Sequence, residues 1–267
     1  GANNLGDSTQ KSELVCPMPT ANTKEETANS QIARAASIVM IAYIFSTLVG
    51  VVRGMVISRA FGTSPELDSY NAANRVTELL FNLTAGGALG SAFIPMFTGM
   101  LTRGDKRSAW KLASGVMNTI IVILILVTLV MWVFAPQIVE YGLFALAHGN
   151  PGQVELTVKL LRIMLPTVII FGMSGLMMGM LNAHQVFLWP ALAPAMYSLG
   201  LMAGTLLLPE SLGIERLAIG AVLGALGHWL LQIPSLFRLP DRFYDRMVWF
   251  KDQAVCRVLK LMLPRVI

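Results

Sequence analysis

Arg53 occupies a costly place for a charge. The apolar run over residues 32–57 carries Arg34 near its start and Arg53 near its end, and Gly54-Met55-Val56-Ile57 continues it. A charge inside such a run normally faces a cavity or a partner, although a long side chain near the run's end also reaches the interface by snorkelling. A guanidinium holds phosphate oxygens in a bidentate fork. Arg53 therefore reads as an anion site or as an interfacial anchor. Arg59, Asp68, Arg75 and Glu78 follow across the first connection. Arg59, Asp68 and Arg75 are candidate site residues beside Arg53, and the alternative for the acidic pair is ion pairs that lock two helices. Lys159 and Arg162, at i and i+3, share one helix face and read as anchoring charges at the mouth of a span or as a second contact for an anion.

Other chemistry is excluded by what the spacing lacks. No G-x-x-x-x-G-K-[ST] loop is present to cradle nucleotide phosphates. His148, His184 and His228 stand apart, without the H-x-x-H spacing of a metal site. There is no G-x-S-x-G elbow, and the serines in apolar runs lack an obvious His or Lys partner. Cys16 and Cys256 form neither a disulfide framework nor a ligand set. These absences favour transport without covalent chemistry: no enzyme, no metal and no cofactor.

Composition sets the elements that must position Arg53. Of 267 residues, 55% are hydrophobic and 13% charged, with mean hydropathy +0.63. A soluble domain carries roughly a quarter charged residues, so an all-α polytopic membrane protein is the reading. The net charge of +5 and pI near 9.4 do not signal nucleic acid, because the bases flank apolar runs. A spanning helix needs about 20 apolar residues. Runs over 32–57, 78–103, starting near Asn71, and 111–140 each supply one span. No Asp, Glu, Lys or Arg lies between Arg162 and Glu210; as one helix that stretch would reach about 70 Å, more than twice a bilayer core. It must be a hairpin, turning at Asn182-Ala183-His184-Gln185 ahead of Pro190. A sixth span fits 217–237, and 138–147 could form a short interfacial helix.

The expected organisation is a disordered tail over 1–30, a six-helix lobe over 31–238, and a connection with the start of a seventh span over 239–267. With Gly1 in place of Met and an apolar end, the chain reads as an amino-terminal fragment. Lys11, Lys24, Arg34, Arg103, Lys106, Arg107, Lys111, Arg238, Arg242, Arg246, Lys251, Arg257 and Lys260 fall on one side of these spans. Only Arg59, Arg75, Lys159, Arg162 and Arg216 fall on the other. The positive-inside rule then puts the amino terminus and both cysteines in the cytoplasm.

Glycine pairs at i and i+4 mark close helix approach: Gly50/Gly54, Gly86/Gly90, Gly175/Gly179, Gly200/Gly204 and Gly220/Gly224. Static packing is the ordinary explanation of each. The run Thr84-Ala85-Gly86-Gly87-Ala88-Leu89-Gly90-Ser91-Ala92 is denser than packing needs and suits a soft or broken helix lining a cavity. Gly50, Gly54, Gly86, Gly87 and Gly90 are accordingly the candidates for helix flexing or cavity lining. Pro166, Pro194 and Pro234 should bend spans four, five and six.

Several of these segments resemble the MurJ/MviN lipid II flippases. They are Phe45-Ser46, Gly50-Val51-Val52-Arg53, Ala60-Phe61-Gly62 with Asp68, and Ala85-Gly86-Gly87-Ala88-Leu89 with Ala92-Phe93-Ile94-Pro95. Leu161-Arg162-Ile163-Met164-Leu165-Pro166, Leu181-Asn182-Ala183, Pro190-Ala191-Leu192-Ala193-Pro194 and Val258-Leu259-Lys260-Leu261-Met262-Leu263-Pro264 extend the likeness in order to the end of the chain. The resemblance implies the amino-terminal lobe of a 14-helix exporter fold in the bacterial cytoplasmic membrane. It also implies movement of lipid II, the undecaprenyl-diphosphate-linked peptidoglycan precursor, from the inner to the outer leaflet by alternating access. Arg53 matches a diphosphate-contacting position and Asp68 a functionally sensitive one. The partners implied are lipid II, the bilayer and cell-wall synthesis proteins. The chain departs from the family pattern at Thr47, at Phe81-Asn82 and at Gly86, where many members carry cationic or acidic residues, and at Val76-Thr77-Glu78, where the usual run is Leu-Pro-Asn. Those departures keep two alternatives open: export of another lipid-linked oligosaccharide or polysaccharide unit, or a transport-inactive relative that scaffolds cell-wall synthesis.

Overall fold

A computed structural model describes residues 21–82, 93–143, 151–239, 244 and 255–256. Every regular element among them is helical: α1 (Ala21–Phe61), α2 (Pro65–Phe81), α3 (Ile94–Thr102), α4 (Lys106–Val133), a short α5 (Ala135–Gln137) that runs into a π turn (Ile138–Leu143), α6 (Pro151–Met164), α7 (Pro166–Ala183), α8 (Leu188–Leu207) and α9 (Glu215–Phe237). The protein is an all-α polytopic membrane protein. Among the described residues, five stretches are long and apolar enough to cross a bilayer: Ala36–Phe61, Lys106–Val133, Pro151–Ala183, Leu188–Leu207 and Glu215–Phe237. The second expected span is represented by α2 and α3, and residues 83–92 between them lie outside the described residues, as do Gly86, Gly87 and Gly90.

Two compact units divide the chain at residues 38 and 39. In the first, α1 begins at Ala21, so residues 21–30 are helical where the composition suggested a disordered tail. The Ser37 hydroxyl there donates back to the Ala33 carbonyl at 2.8 Å. The remaining description concerns the second unit.

Local signals fix its helix ends. Ser64 caps α2 by accepting from the Leu67 N–H at 3.3 Å, with Pro65 at the first helical position, where its missing N–H costs nothing. Glu66 and Asp68 in that first turn complement the helix dipole. The Glu66 carboxylate sits below its ordinary pKa because its own backbone N–H and then the Ser64 hydroxyl donate to it. Asp105 caps α4 through the Ser108 N–H at 3.2 Å, after Gly104 takes the left-handed φ of 78° that the turn requires. The hairpin turns where the sequence put it: the Val186 N–H returns to the Leu181 carbonyl at 2.9 Å, and Gln185 adopts a φ of 60°.

Span four differs from its expected bounds. It starts at Pro151 rather than beyond Arg162, and Pro166 opens α7 directly behind α6. Lys159 and Arg162 therefore lie within the span, and each is provided for. Lys159 pairs with Glu215 at the start of α9. The Arg162 guanidinium lies 4.7 Å from the centre of the Trp132 ring, and its Nε donates to the Trp132 carbonyl at 3.2 Å. A paired or stacked charge escapes most of the desolvation cost that would otherwise bar it from a span.

Packing concentrates on α8 and α9. A Cβ on Gly200 would stand 2.1 Å from the Gly224 Cα, and one on Gly204 would stand 2.5 Å from the Gly220 Cα. The two helices thus meet backbone to backbone, as small residues permit in membranes. Phe93, Phe97, Trp110, Leu124 and Leu181 form a core where α3, α4 and α7 meet. Val76, Leu160, Leu161, Leu201 and Leu217 form another around α2, α6, α8 and α9. In contrast, only 11% of the apolar window of α1 is buried, against 56% for the α6–α7 span.

Candidate anion site on the first span

Arg53 lies on α1, a helix that continues unbroken through Gly50 and Gly54. Its guanidinium is half-buried, and Nη1 donates to the Ser198 hydroxyl of α8 at 3.5 Å. Seven residues earlier on both helices, the buried Ser46 hydroxyl donates to the Ala191 carbonyl at 2.9 Å. Ser46 with Ala191 and Arg53 with Ser198 are two rungs of one ladder. Equal steps in the same sense require α1 and α8 to run parallel, as first and fifth spans must. Tyr70 of α2 and Tyr197 of α8 lie side chain to side chain, and the Arg53 charge acts on both. The neighbourhood is thus one cation from α1 with three hydroxyls from two other helices, α2 and α8.

A cation with hydroxyl donors beside it is the kind of group that can receive an anion. The guanidinium uses one N–H on Ser198 and keeps further donors for oxygen ligands. Among the described residues Arg53 forms no ion pair, and the nearby acidic influence is Glu78, whose charge acts on Tyr197. An unpaired arginine within a span is expensive unless it meets a ligand or water.

The other sequence candidates are placed differently. Arg59 is exposed on the last turn of α1, Asp68 is exposed on the first turn of α2, and Arg75 is exposed farther along α2. Among the described residues none of them is hydrogen-bonded to Arg53 and none, nor Glu78, forms an ion pair, so no helix-locking pair is seen there. Asp68 instead stands at the positive end of α2. A Cβ at Gly50 or Gly54 would meet nothing within 4 Å among the described residues, so these glycines pack closely against none of them. Thr47 turns its hydroxyl back onto the Tyr43 carbonyl at 2.9 Å.

Tyr70, Tyr197 and Ser198 were absent from the sequence reading. Their only signal was a hydroxyl in an apolar run, which is shared by serines and threonines elsewhere. A second cluster corrects the expectation that serines in the spans have no histidine partner. Ser174 of α7 is 2.7 Å from His228 Nδ1 of α9, and Gln232 Nε2 donates to the Ser174 oxygen at 2.7 Å. All three are buried, with the Phe171 ring edge-on to His228 at 5.3 Å. These bonds cross-link α7 and α9. His184 serves the turn, with Nδ1 2.9 Å from the Met180 carbonyl and its ring against Phe97 and Trp110.

Comparison with known proteins gives the chain its family. Residues 57–267 match the family model described as lipid II flippase MurJ. A Burkholderia cenocepacia lipid II flippase MurJ is 26% identical over 226 residues, covering 83% of this chain and 44% of that protein. The Thermosipho africanus lipid II flippase MurJ is 28% identical over 198 residues, covering 74% and 40%. A solved lipid II flippase MurJ in an inward closed conformation superposes with a TM-score of 0.68 at 25% identity, over 85% of this chain and 46% of that one. A transporter solved as MATE in complex with MaD3S shares the fold at a TM-score of 0.65 and 19% identity. The chain spans less than half the length of these curated relatives.

Proposed function

We propose, from the premise that this chain belongs to the lipid II flippase MurJ family, that it provides the first lobe of a flippase for lipid II in the bacterial cytoplasmic membrane. The family is one of transporters rather than enzymes. The amino terminus lies in the cytoplasm, and the headgroup of the lipid crosses from the inner to the outer leaflet while its polyprenyl tail stays in the bilayer. Arg53 contacts the diphosphate, and Ser198, Tyr70 and Tyr197 hold that guanidinium and extend the donor set. Arg59 and Arg75 raise the local positive potential at the outer end of the site, while Asp68 sets the position of α2.

The observation that carries this reading is the half-buried Arg53, inside a span, hydrogen-bonded to Ser198 and without an ion pair among the described residues. A cation exporter would need the opposite charge in that place. The test uses the intact protein that contains this chain, expressed in cells depleted of their own lipid II flippase. Wild type should restore survival and outer-leaflet lipid II, and Arg53→Ala at matched abundance should not. A charge-assisted hydrogen bond is worth about 1.5–3 kcal/mol, so affinity should fall by roughly ten- to a hundredfold. Equal rescue by both proteins would reduce Arg53 to an interfacial anchor. Failure of a well-inserted wild type would favour another lipid-linked cargo or a scaffolding relative, to which the back-bonded Thr47 already lends some weight.

A further inference from the structure

Where α4 ends, it meets a guanidinium of α6 whose donors are only partly used. Two contacts set the depth of that meeting. At one end of α4 the Trp110 ring lies 5.9 Å from the His184 ring at the hairpin turn. At the other end the Trp132 ring lies 4.7 Å from the Arg162 guanidinium. From Trp110 to Trp132, and from His184 back to Arg162, the separation is the same 22 residues, about 33 Å at 1.5 Å per residue. The hydrocarbon core of a bilayer measures about 30 Å. The two contacts therefore stand at opposite rims of the membrane, the level at which tryptophan is enriched.

Arg162 is held in a way that leaves most of its donors free. Pro136 has no N–H to give the Trp132 carbonyl four residues before it, and Arg162 Nε donates to that carbonyl at 3.2 Å instead. One of five N–H donors is thus spent, and the four on Nη1 and Nη2 remain. Neither Nη has a partner among the described residues and neither is enclosed, so both open outward. Lys159, one turn away, is answered by Glu215, whereas Arg162 forms no ion pair among the described residues. Trp132 is 48% exposed, and Ile125, Leu129 and Val133 continue an exposed apolar stripe from it toward the bilayer centre. The anions that occupy this depth, with acyl chains to lie along such a stripe, are phospholipid headgroups. A guanidinium fork suits their phosphate. A zwitterionic headgroup offsets its phosphate with its own ammonium, while an anionic one leaves that charge to Arg162. We propose that the Arg162–Trp132 rim binds an anionic glycerophospholipid, its phosphate on the Arg162 Nη donors and one acyl chain along α4. The site shares no residue with the Arg53 neighbourhood and stands whether or not that neighbourhood takes a diphosphate.

The intact protein that contains this chain is placed in phosphatidylcholine vesicles with a trace of photoactive lipid. The probe is phosphatidylglycerol or phosphatidylcholine, each with a diazirine near the glycerol end of one chain, and adducts are mapped by mass spectrometry. Label from phosphatidylglycerol should fall on Leu129 or Val133 and exceed that from phosphatidylcholine about fivefold, the effect of one basic residue on an anionic lipid. Raised salt should shrink that ratio. Arg162→Gln should abolish the preference, and Arg162→Lys, which keeps the charge but loses the fork and the stacked plane, should retain part of it. If Arg162→Gln fails to fold, the wild-type ratio and its salt dependence decide alone. Equal labelling of the stripe by the two probes would overturn the proposal. So would a stripe that takes no label, the result of another protein surface covering it.

Discussion

Gly200→Ala tests how the lobe is built, because it adds one methyl group where α8 and α9 touch. The new Cβ would stand 2.1 Å from the Gly224 Cα and 2.3 Å from the Gly224 nitrogen. Both are backbone atoms, so no side chain can swing aside. Ordinary contact begins near 3.4 Å. The helices must therefore part by about 1.3 Å, and overpacking of this kind costs typically 1–3 kcal/mol. With backbone on both sides, the upper end is expected. That loss corresponds to a fall of about 6–12 °C in the melting temperature of the detergent-solubilised protein, followed by intrinsic fluorescence. A second consequence follows from position. Tyr197 and Ser198 lie just ahead of Gly200 on α8, and the Arg53–Ser198 bond is already long at 3.5 Å. Displacement of α8 should break it, so transport should fall further than abundance does. The control is Gly50→Ala, where an added Cβ meets nothing within 4 Å. A melting temperature for Gly200→Ala within about 2 °C of wild type, well short of the fall computed above, would refute the backbone-to-backbone contact.

Gly50→Ala should leave folding unchanged or slightly strengthened, by up to about 1 kcal/mol of helix propensity; lost transport at unchanged melting temperature would mean that α1 bends there. Ser174→Ala should destabilise by roughly 1–3 kcal/mol, because the buried His228 and Gln232 groups lose their shared partner; a neutral result in the same melting assay would show the cluster to be slack. Asp105 is held below the ordinary carboxylate range by the Ser108 hydroxyl, then by the Ser108 N–H and the Arg103 charge. Its capping contribution is present above that range and is lost as pH falls through the lowered value. The melting temperatures of wild type and Asp105→Ala should thus differ at pH 7 and converge in acid, and a constant difference would remove the cap from the account.

Much of the fold was legible because charge and turn chemistry act locally. The charge-free stretch after Arg162 had to fold back, and the turn at residues 182–185 is where the backbone reverses. Bounds failed where a tertiary partner paid for a charge. Lys159 and Arg162 lie inside a helix because Glu215 and Trp132 meet them from other elements, which spacing along one segment cannot reveal. The glycines show the same limit. Gly200/Gly204 and Gly220/Gly224 face each other, whereas Gly50/Gly54, identical in spacing, meets none of the described residues. At the candidate site Arg53 was legible alone, since a charge in an apolar run needs no partner to be conspicuous. Tyr70, Tyr197 and Ser198 were not, because a hydroxyl becomes part of a site only through what lies opposite.

The distribution of contacts also says which element is free to move. α8 is held to α9 by interlocking glycine backbones, and α7 to α9 by the Ser174–His228–Gln232 bonds. Separating either pair would expose backbone or buried polar groups to hydrocarbon, which costs several kcal/mol. α1 is different. Its hydrogen bonds to α8 are the Ser46 and Arg53 rungs, its apolar window is 11% buried, and its glycine face is open. Two such bonds amount to about 1–3 kcal/mol, a range that a bound anion competing with Ser198 for the Arg53 donors can offset. On the role proposed for Arg53, ligand arrival and release of α1 from α8 would be coupled through a single side chain, since that cation is also one of the two hydrogen-bonded rungs between these helices among the described residues.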